Sequence, residues 1–99
     1  MKIKTAHCSK DGMDAMKKGE ADFSIFTYWV SGTPSTYVYC RTEDAKKLFE
    51  KFSWVKINNL SGDLSGFVSV RFGKNEPEEV ETFIKSVFGM SESSIKVMI

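Results

Sequence analysis

Short segments of this chain alternate between two kinds of side chain, and this alternation restricts its fold more than any other feature. In one segment, Val38 and Cys40 alternate with Tyr37, Tyr39 and Arg41. Successive residues of a β-strand point to opposite faces of a sheet, so such a segment predicts a strand with one apolar face and one aromatic and basic face. The segments that predict strands of this kind are 36–41, 54–60, 66–72 and 94–99.

Other segments have the spacing of amphipathic helices, namely 9–18, 42–52 and 77–88. In the first of them Met13 and Met16 face inward, and Gly19 ends the helix. We expect Thr42 and Asn75 to cap the other two helices. The inward positions of these two helices are Ala45, Leu48, Phe49 and Phe52, followed by Val80, Phe83, Ile84, Val87 and Phe88.

Two predicted β-hairpins join the strands. The first pairs 23–31 with 36–41 through a turn at 32–35, and the second pairs 54–60 with 66–72 through a turn at 61–65. A short strand is also expected at 2–7. The inward side chains of the sheet are predicted to be Val38, Cys40, Val55, Ile57, Val68, Val70, Phe72, Ile95, Val97 and Ile99.

The resulting element order is βαββαββαβ. Short hairpins and right-handed crossovers favour a single two-layer α+β domain over residues 1–99, with a mainly antiparallel sheet and its helices on one face. Residues 36–99 alone have the ferredoxin-like order βαββαβ. Residues 1–35 would then add a strand, a helix and a strand at the N-terminal side.

Composition limits the classes of partner. Ninety-nine residues suit one domain, and 14 basic against 13 acidic residues give a net charge of +1. The net charge is therefore too small to give the whole molecule an electrostatic field that attracts a polyanion. The N-terminus lacks the apolar run of a signal peptide, and no stretch reaches the length of a transmembrane helix. We expect a soluble cytoplasmic protein without a membrane partner.

The face of the sheet opposite the core is the candidate binding surface. All 13 carboxylates lie outside the four alternating strands. The only two arginines, Arg41 and Arg71, occupy strand positions whose side chains are predicted to point away from the core. Arginine suits phosphate or carboxylate and stacks on aromatic rings. The predicted contact residues are Tyr37, Tyr39, Arg41, Trp54, Lys56, Phe67 and Arg71.

Three interpretations of this face stay open. The chain itself could cover it, with the first helix or with the strand at 23–31. It could bind another protein or a second copy of the chain, since Tyr, Trp, Phe, Met and Arg are enriched at such interfaces. It could also bind single-stranded RNA or DNA.

One segment bears on the nucleic-acid interpretation. Residues 66–72 partly resemble the first signature of RNA recognition motifs, with Gly66 and Phe67 at matching positions. The resemblance implies base stacking on Phe67 and Tyr37. Ser65, Val68 and Ser69 depart from the signature, in place of a basic, a small and an aromatic residue.

No set of residues predicts catalysis, a metal or a cofactor. His7 and Cys8 are adjacent and therefore point to opposite sides of a strand, and Cys40 lies far away in the sequence. Neither a zinc site nor a thiol nucleophile is expected from this spacing, so the cysteines are predicted to be free thiols. Glu78 and Glu81 share a helix face, where a solvated first turn explains them.

The sequence thus favours a small non-enzymatic binding protein that docks an aromatic and basic sheet face on another protein. Such a protein would act as an inhibitor, adaptor or regulatory subunit, for example a bacterial or phage accessory protein that antagonises a host system. The alternatives are a single-stranded nucleic-acid binder and a homodimer, both using the same face.

Overall fold

A computed structural model describes residues 1–60 and 66–89. Its elements are β1 (Ile3–Thr5), α1 (Ser9–Lys17), β2 (Phe23–Val30), β3 (Thr33–Arg41), α2 (Thr42–Lys51), β4 (Lys56–Asn59), β5 (Phe67–Gly73) and α3 (Pro77–Phe88). The elements predicted within these residues are all present and in the predicted order. The turn predicted at 61–65 and the strand predicted at 94–99 lie outside the described residues.

The strands form a five-stranded mixed sheet in the order β1-β2-β3-β5-β4. β1 and β2 are parallel, and the other three pairings are antiparallel. The chain is therefore a small α+β domain with a mainly antiparallel sheet, as predicted. β5 lies between β3 and β4, and β2 lies on the other side of β3.

One face of the sheet packs against α2 and α3 and forms the main core. Its buried side chains are Phe23, Ile25, Val38, Cys40, Ala45, Leu48, Val55, Val68, Val70, Phe72, Val80 and Ile84. The inward positions predicted for the strands within 36–72 are thus confirmed, with Ile57 half-buried against the same cluster. Burial of each large apolar side chain stabilises the fold by about 1.5 to 3 kcal/mol.

The first helix packs on the opposite face of the sheet. The Ser24 hydroxyl donates a hydrogen bond of 2.9 Å to the Gly12 carbonyl, and a methyl group built on Gly12 would lie within 3.5 Å of Phe26 and Tyr39. A second buried cluster surrounds Met13 and Met16, as their spacing predicted. The predicted two-layer arrangement with all helices on one face is therefore wrong.

The handedness of crossovers explains this correction. β1 and β3 run in opposite directions, and the connections from β1 to β2 and from β3 to β4 step across the sheet in the same direction. A right-handed crossover from a reversed strand places its helix on the other face. α1 and α2 must therefore lie on opposite sides, which depends on a strand order that the sequence does not reveal.

Both predicted helix caps are wrong. Thr42 is the first residue of α2 and no side chain caps that helix. α3 begins after Glu76. The backbone N–H of Glu76 donates a hydrogen bond of 2.9 Å to the Glu79 carboxylate, as part of a capping box. The side-chain amide of Asn75 instead donates a hydrogen bond of 2.8 Å to the Phe72 carbonyl, which closes the turn before α3.

The first hairpin is tighter than predicted. Its turn consists of Ser31 and Gly32, both with positive φ, so β3 begins at Thr33 and not at 36. Two such residues match the twist of paired strands, and this explains the extra pairs near the turn.

In α2, the predicted inward residue Phe49 is exposed. Among the described residues no helix is long and apolar enough to cross a membrane.

Candidate functional site

A row of four side chains crosses the face of the sheet that carries α1. Phe26 of β2 lies opposite Tyr37 of β3, Tyr37 opposite Arg71 of β5, and Arg71 opposite Lys56 of β4. Directly paired residues share a face, with Cβ atoms about 4.5 to 5.5 Å apart. The row therefore changes from aromatic to cationic across the sheet.

Helix α1 covers one end of this face. Tyr39 and Phe67 pack against the cluster around Met13 and Met16. Burial raises the pKa of Tyr39, while a hydrogen bond with the Ser9 side chain acts in the opposite direction. Self-coverage by the first helix, one of the three interpretations of this face, is thus confirmed for this part of the surface.

The rest of the surface is accessible, and we call it the open face. Its members are Tyr28, Tyr37, Lys56, Asn58 and Arg71. Tyr28 is 55% exposed, and Tyr37 is half-buried between Tyr28 and Phe26. Together with the edge of α1 at Ser9, the aromatic side chains enclose a shallow cleft of about 160 Å³.

The rings of the open face support one another. Phe26 and Tyr37 stack with centroids 5.7 Å apart, and Tyr28 meets Tyr37 edge-on at 6.2 Å. Tyr39, which packs against the α1 cluster, also contacts Phe26, with ring centroids 4.6 Å apart. Such pairs contribute about 0.5 to 1.5 kcal/mol beyond area burial and hold the rings in place before any partner arrives.

The cations of the open face have no acidic partner among the described residues. Arg71 donates from Nε to the Ser35 hydroxyl at 3.1 Å, and this bond orients its guanidinium. Other lysines, among them Lys4, Lys10 and Lys85, form salt bridges with carboxylates. Lys56 and Arg71 are both exposed.

Trp54 does not lie on the open face with Lys56, although the alternation predicted that it would. Residues 53 and 54 form a turn before β4 begins, so the alternation does not extend to them. The indole packs edge-on against Phe72 at 5.8 Å and Phe83 at 6.1 Å, on the side of α3. Trp54 is still 51% exposed. It lines a cleft of about 230 Å³ together with Lys56 and Arg71.

The remaining predicted site residue, Arg41, lies at the end of β3. Its guanidinium stands over the Phe67 ring at 5.7 Å from the centroid. Phe67 is therefore held between α1 and this arginine. Of the predicted contact residues, the structure brings Tyr37, Lys56 and Arg71 together in one row. Tyr39 and Phe67 pack against the α1 cluster, and Arg41 is exposed at the end of β3 beside Phe67.

Sequence reasoning missed Tyr28. The hairpin turn at Ser31 and Gly32 pairs Phe26 with Tyr37 and Tyr28 with Ser35, which places Tyr28 on the open face. A two-residue turn with glycine second was visible in the sequence, and its register would have identified this tyrosine.

The thiols and the histidine do not converge. Both cysteines are free, as predicted, with Cys8 exposed and Cys40 buried in the main core. Burial, together with the nearby Asp44 carboxylate, raises the pKa of Cys40 to about 12. Within 1–60 and 66–89, no group of three or more His, Cys, Asp or Glu side chains is placed to hold a metal ion.

No protein-family model matches this chain. No curated protein sequence matches it with statistical significance either.

Proposed function

We propose that this protein is a non-enzymatic binding protein that docks its open face on another protein in the cytoplasm. It acts there as an inhibitor, adaptor or regulatory subunit. The observation that carries the proposal is the presence, on one side of a sheet, of the exposed Tyr28, the half-buried Tyr37 and two cations that form no salt bridge with a described carboxylate. Aromatic and arginine side chains commonly supply most of the energy of a protein interface.

Rigidity of the surface supports this proposal. Tyr37 is held between Phe26 and Tyr28, and Arg71 is bonded to Ser35. Side chains that are already ordered lose less conformational entropy on binding, so more of the contact energy appears as affinity.

A protein partner explains the surface better than a nucleic acid does. Phe67, one of the two stacking positions implied by the resemblance to RNA recognition motifs, is packed under α1 and Arg41. The open face has two cations, and the net charge of the whole chain is +1. Binding along a phosphate backbone commonly uses a longer basic track.

The test combines capture with direct affinity measurement. The wild-type protein and the Tyr28→Ala/Tyr37→Ala variant are used to capture partners from cells that encode the chain, and a protein that only the wild type retains is then purified. By isothermal titration calorimetry we expect the double variant to bind it at least about tenfold more weakly, because two ring contacts are lost.

A matched control is Phe49→Ala, which removes an exposed ring from the outer side of α2. It should bind like the wild type. Equal affinity of the double tyrosine variant and the control would contradict the proposal. Capture that disappears after nuclease treatment, or that falls steeply with salt, would support a nucleic-acid ligand instead.

A further inference from the structure

Two like charges lie directly opposite each other at the cationic end of the open face. Lys56 of β4 and Arg71 of β5 are cross-strand partners in the antiparallel ladder. Like charges at such positions repel, and sheets generally avoid them. An anion between the two side chains would turn this repulsion into two favourable contacts.

Within the part of the chain that the structure describes, no acidic group neutralises this pair. No described carboxylate forms a salt bridge with Lys56 or Arg71, and their neighbours along the two strands on this face are Asn58 and Ser69. The Arg71 Nε–H is already bonded to Ser35, so the two terminal nitrogens of its guanidinium are left for a ligand.

A cleft beside this pair gives the ligand a place to bind. It has a volume of about 230 Å³ and is bordered by Lys56, Arg71, Trp54, Phe72 and Gly73. The Trp54 indole is held by its contacts with Phe72 and Phe83 and forms an apolar wall. The cleft therefore combines two cations with an aromatic surface.

We propose that this cleft binds the carboxylate of an aspartate or glutamate side chain on an acidic segment of a protein partner. The proposal rests on the function proposed above and specifies the chemistry of the partner. Arginine binds a planar carboxylate through paired N–H donors, and lysine adds a second charge. The aliphatic part of the acidic side chain contacts Trp54.

Charge complementarity favours an acidic protein over a second copy of this chain. In a two-fold dimer whose axis passes through this pair, Lys56 and Arg71 of one copy would approach those of the other. A protein carboxylate fits this cleft better than a nucleic-acid phosphate because the second stacking ring, Phe67, is half-buried against the α1 cluster.

The probe is a soluble copolymer of glutamate and tyrosine, compared with a lysine–tyrosine copolymer and a short oligothymidylate. Binding is followed by NMR through the Trp54 indole N–H and the Gly73 amide, with Trp29→Phe used to distinguish the two indole signals. We expect the glutamate copolymer to give saturable shifts at both positions, and the lysine copolymer to give none.

The critical variant is Lys56→Gln/Arg71→Gln, and its matched control is Lys18→Gln/Lys46→Gln, which removes the same charge from exposed helical or helix-end positions. The first should weaken binding of the glutamate copolymer at least about tenfold, and the control should change it little. The first should also melt at a higher temperature than the wild type, because the repulsion between the two cations is removed.

Two results would overturn the proposal: equal binding of the copolymer by both variants, or tighter binding of oligothymidylate through the same signals. A failure here is distinguishable from failure of the proposed function. If the glutamine variant binds the purified partner like the wild type while Tyr28→Ala/Tyr37→Ala does not, the carboxylate site is wrong and the docking function stands.

Discussion

At the scale of single residues, the two thiols lie in opposite environments. Cys8 is exposed just before α1, whereas Cys40 is completely buried in the main core. Burial and the Asp44 carboxylate raise the pKa of Cys40 from an ordinary 9.0 to about 12. A thiol of this kind is a packing group and not a nucleophile, because the reactive form is the thiolate.

This pKa predicts a loss of stability at alkaline pH. The folded protein holds the Cys40 proton more tightly than the unfolded chain, so the stabilisation is complete below the unfolded pKa and is lost as pH rises towards the folded pKa. Above about pH 9, the free energy of unfolding should fall by up to about 1.4 kcal/mol per pH unit because of this group.

Urea unfolding with a reductant present, at several pH values, measures this effect. Other groups also affect stability at alkaline pH, so the comparison is between the wild type, Cys40→Val and Cys8→Ser. The Cys40→Val profile should be flatter than the other two. Parallel profiles for all three proteins would show that Cys40 titrates normally.

At the scale of elements, α1 determines how much of the sheet face is accessible. The helix approaches closely at Gly12, where an added Cβ would lie 3.3 Å from the Ser24 Cβ and 3.5 Å from both Phe26 and Tyr39. A larger residue at this position has no room between the helix and the sheet. The absence of a side chain there lets the Ser24 hydroxyl reach the Gly12 carbonyl.

Gly12→Leu should therefore destabilise the domain by about 1 to 3 kcal/mol, because it overpacks this contact. Urea unfolding gives the free energy of unfolding, and hydrogen exchange of the α1 amides shows whether the helix leaves the sheet. Lys10→Leu adds the same side chain at an exposed position of α1 and is the control. Equal stability of the two variants would contradict the close packing at Gly12.

At the scale of the whole molecule, an almost neutral chain separates its charges. The described carboxylates lie in helices, their flanks and loops, while Lys56 and Arg71 project from strands onto the open face. The resulting patch is positive although the net charge is +1. Its attraction for a partner therefore acts at short range and weakens with salt.

The same charge distribution predicts a monomer. A two-fold dimer with its axis at Lys56 and Arg71 would bring like charges together, so sedimentation equilibrium should give the monomer mass over a wide range of protein concentration. Trp54→Glu should leave that mass unchanged. A wild-type dimer that this substitution dissociates would restore the homodimer interpretation.

Local patterns predicted most of the fold. Period-two alternation located β3, β4 and β5, and helical spacing located α1, α2 and α3, because both patterns depend on which side of an element is buried. The errors lie where a turn or a cap decides the local backbone. Trp54 was assigned to the wrong face because the strand begins two residues later, and Asn75 was named as a cap although Glu76 has that position.

The sequence by itself determined the helices and strands and which side chains of the strands face the core. It also determined that aromatic and cationic residues lie on the other face of the sheet. These properties follow from interactions between residues that are close in the chain. The tertiary structure decided which of those residues stay accessible. Strand order and crossover handedness place α1 over Tyr39 and Phe67, and the ladder sets Lys56 against Arg71. Both depend on contacts between distant segments, which no local pattern encodes.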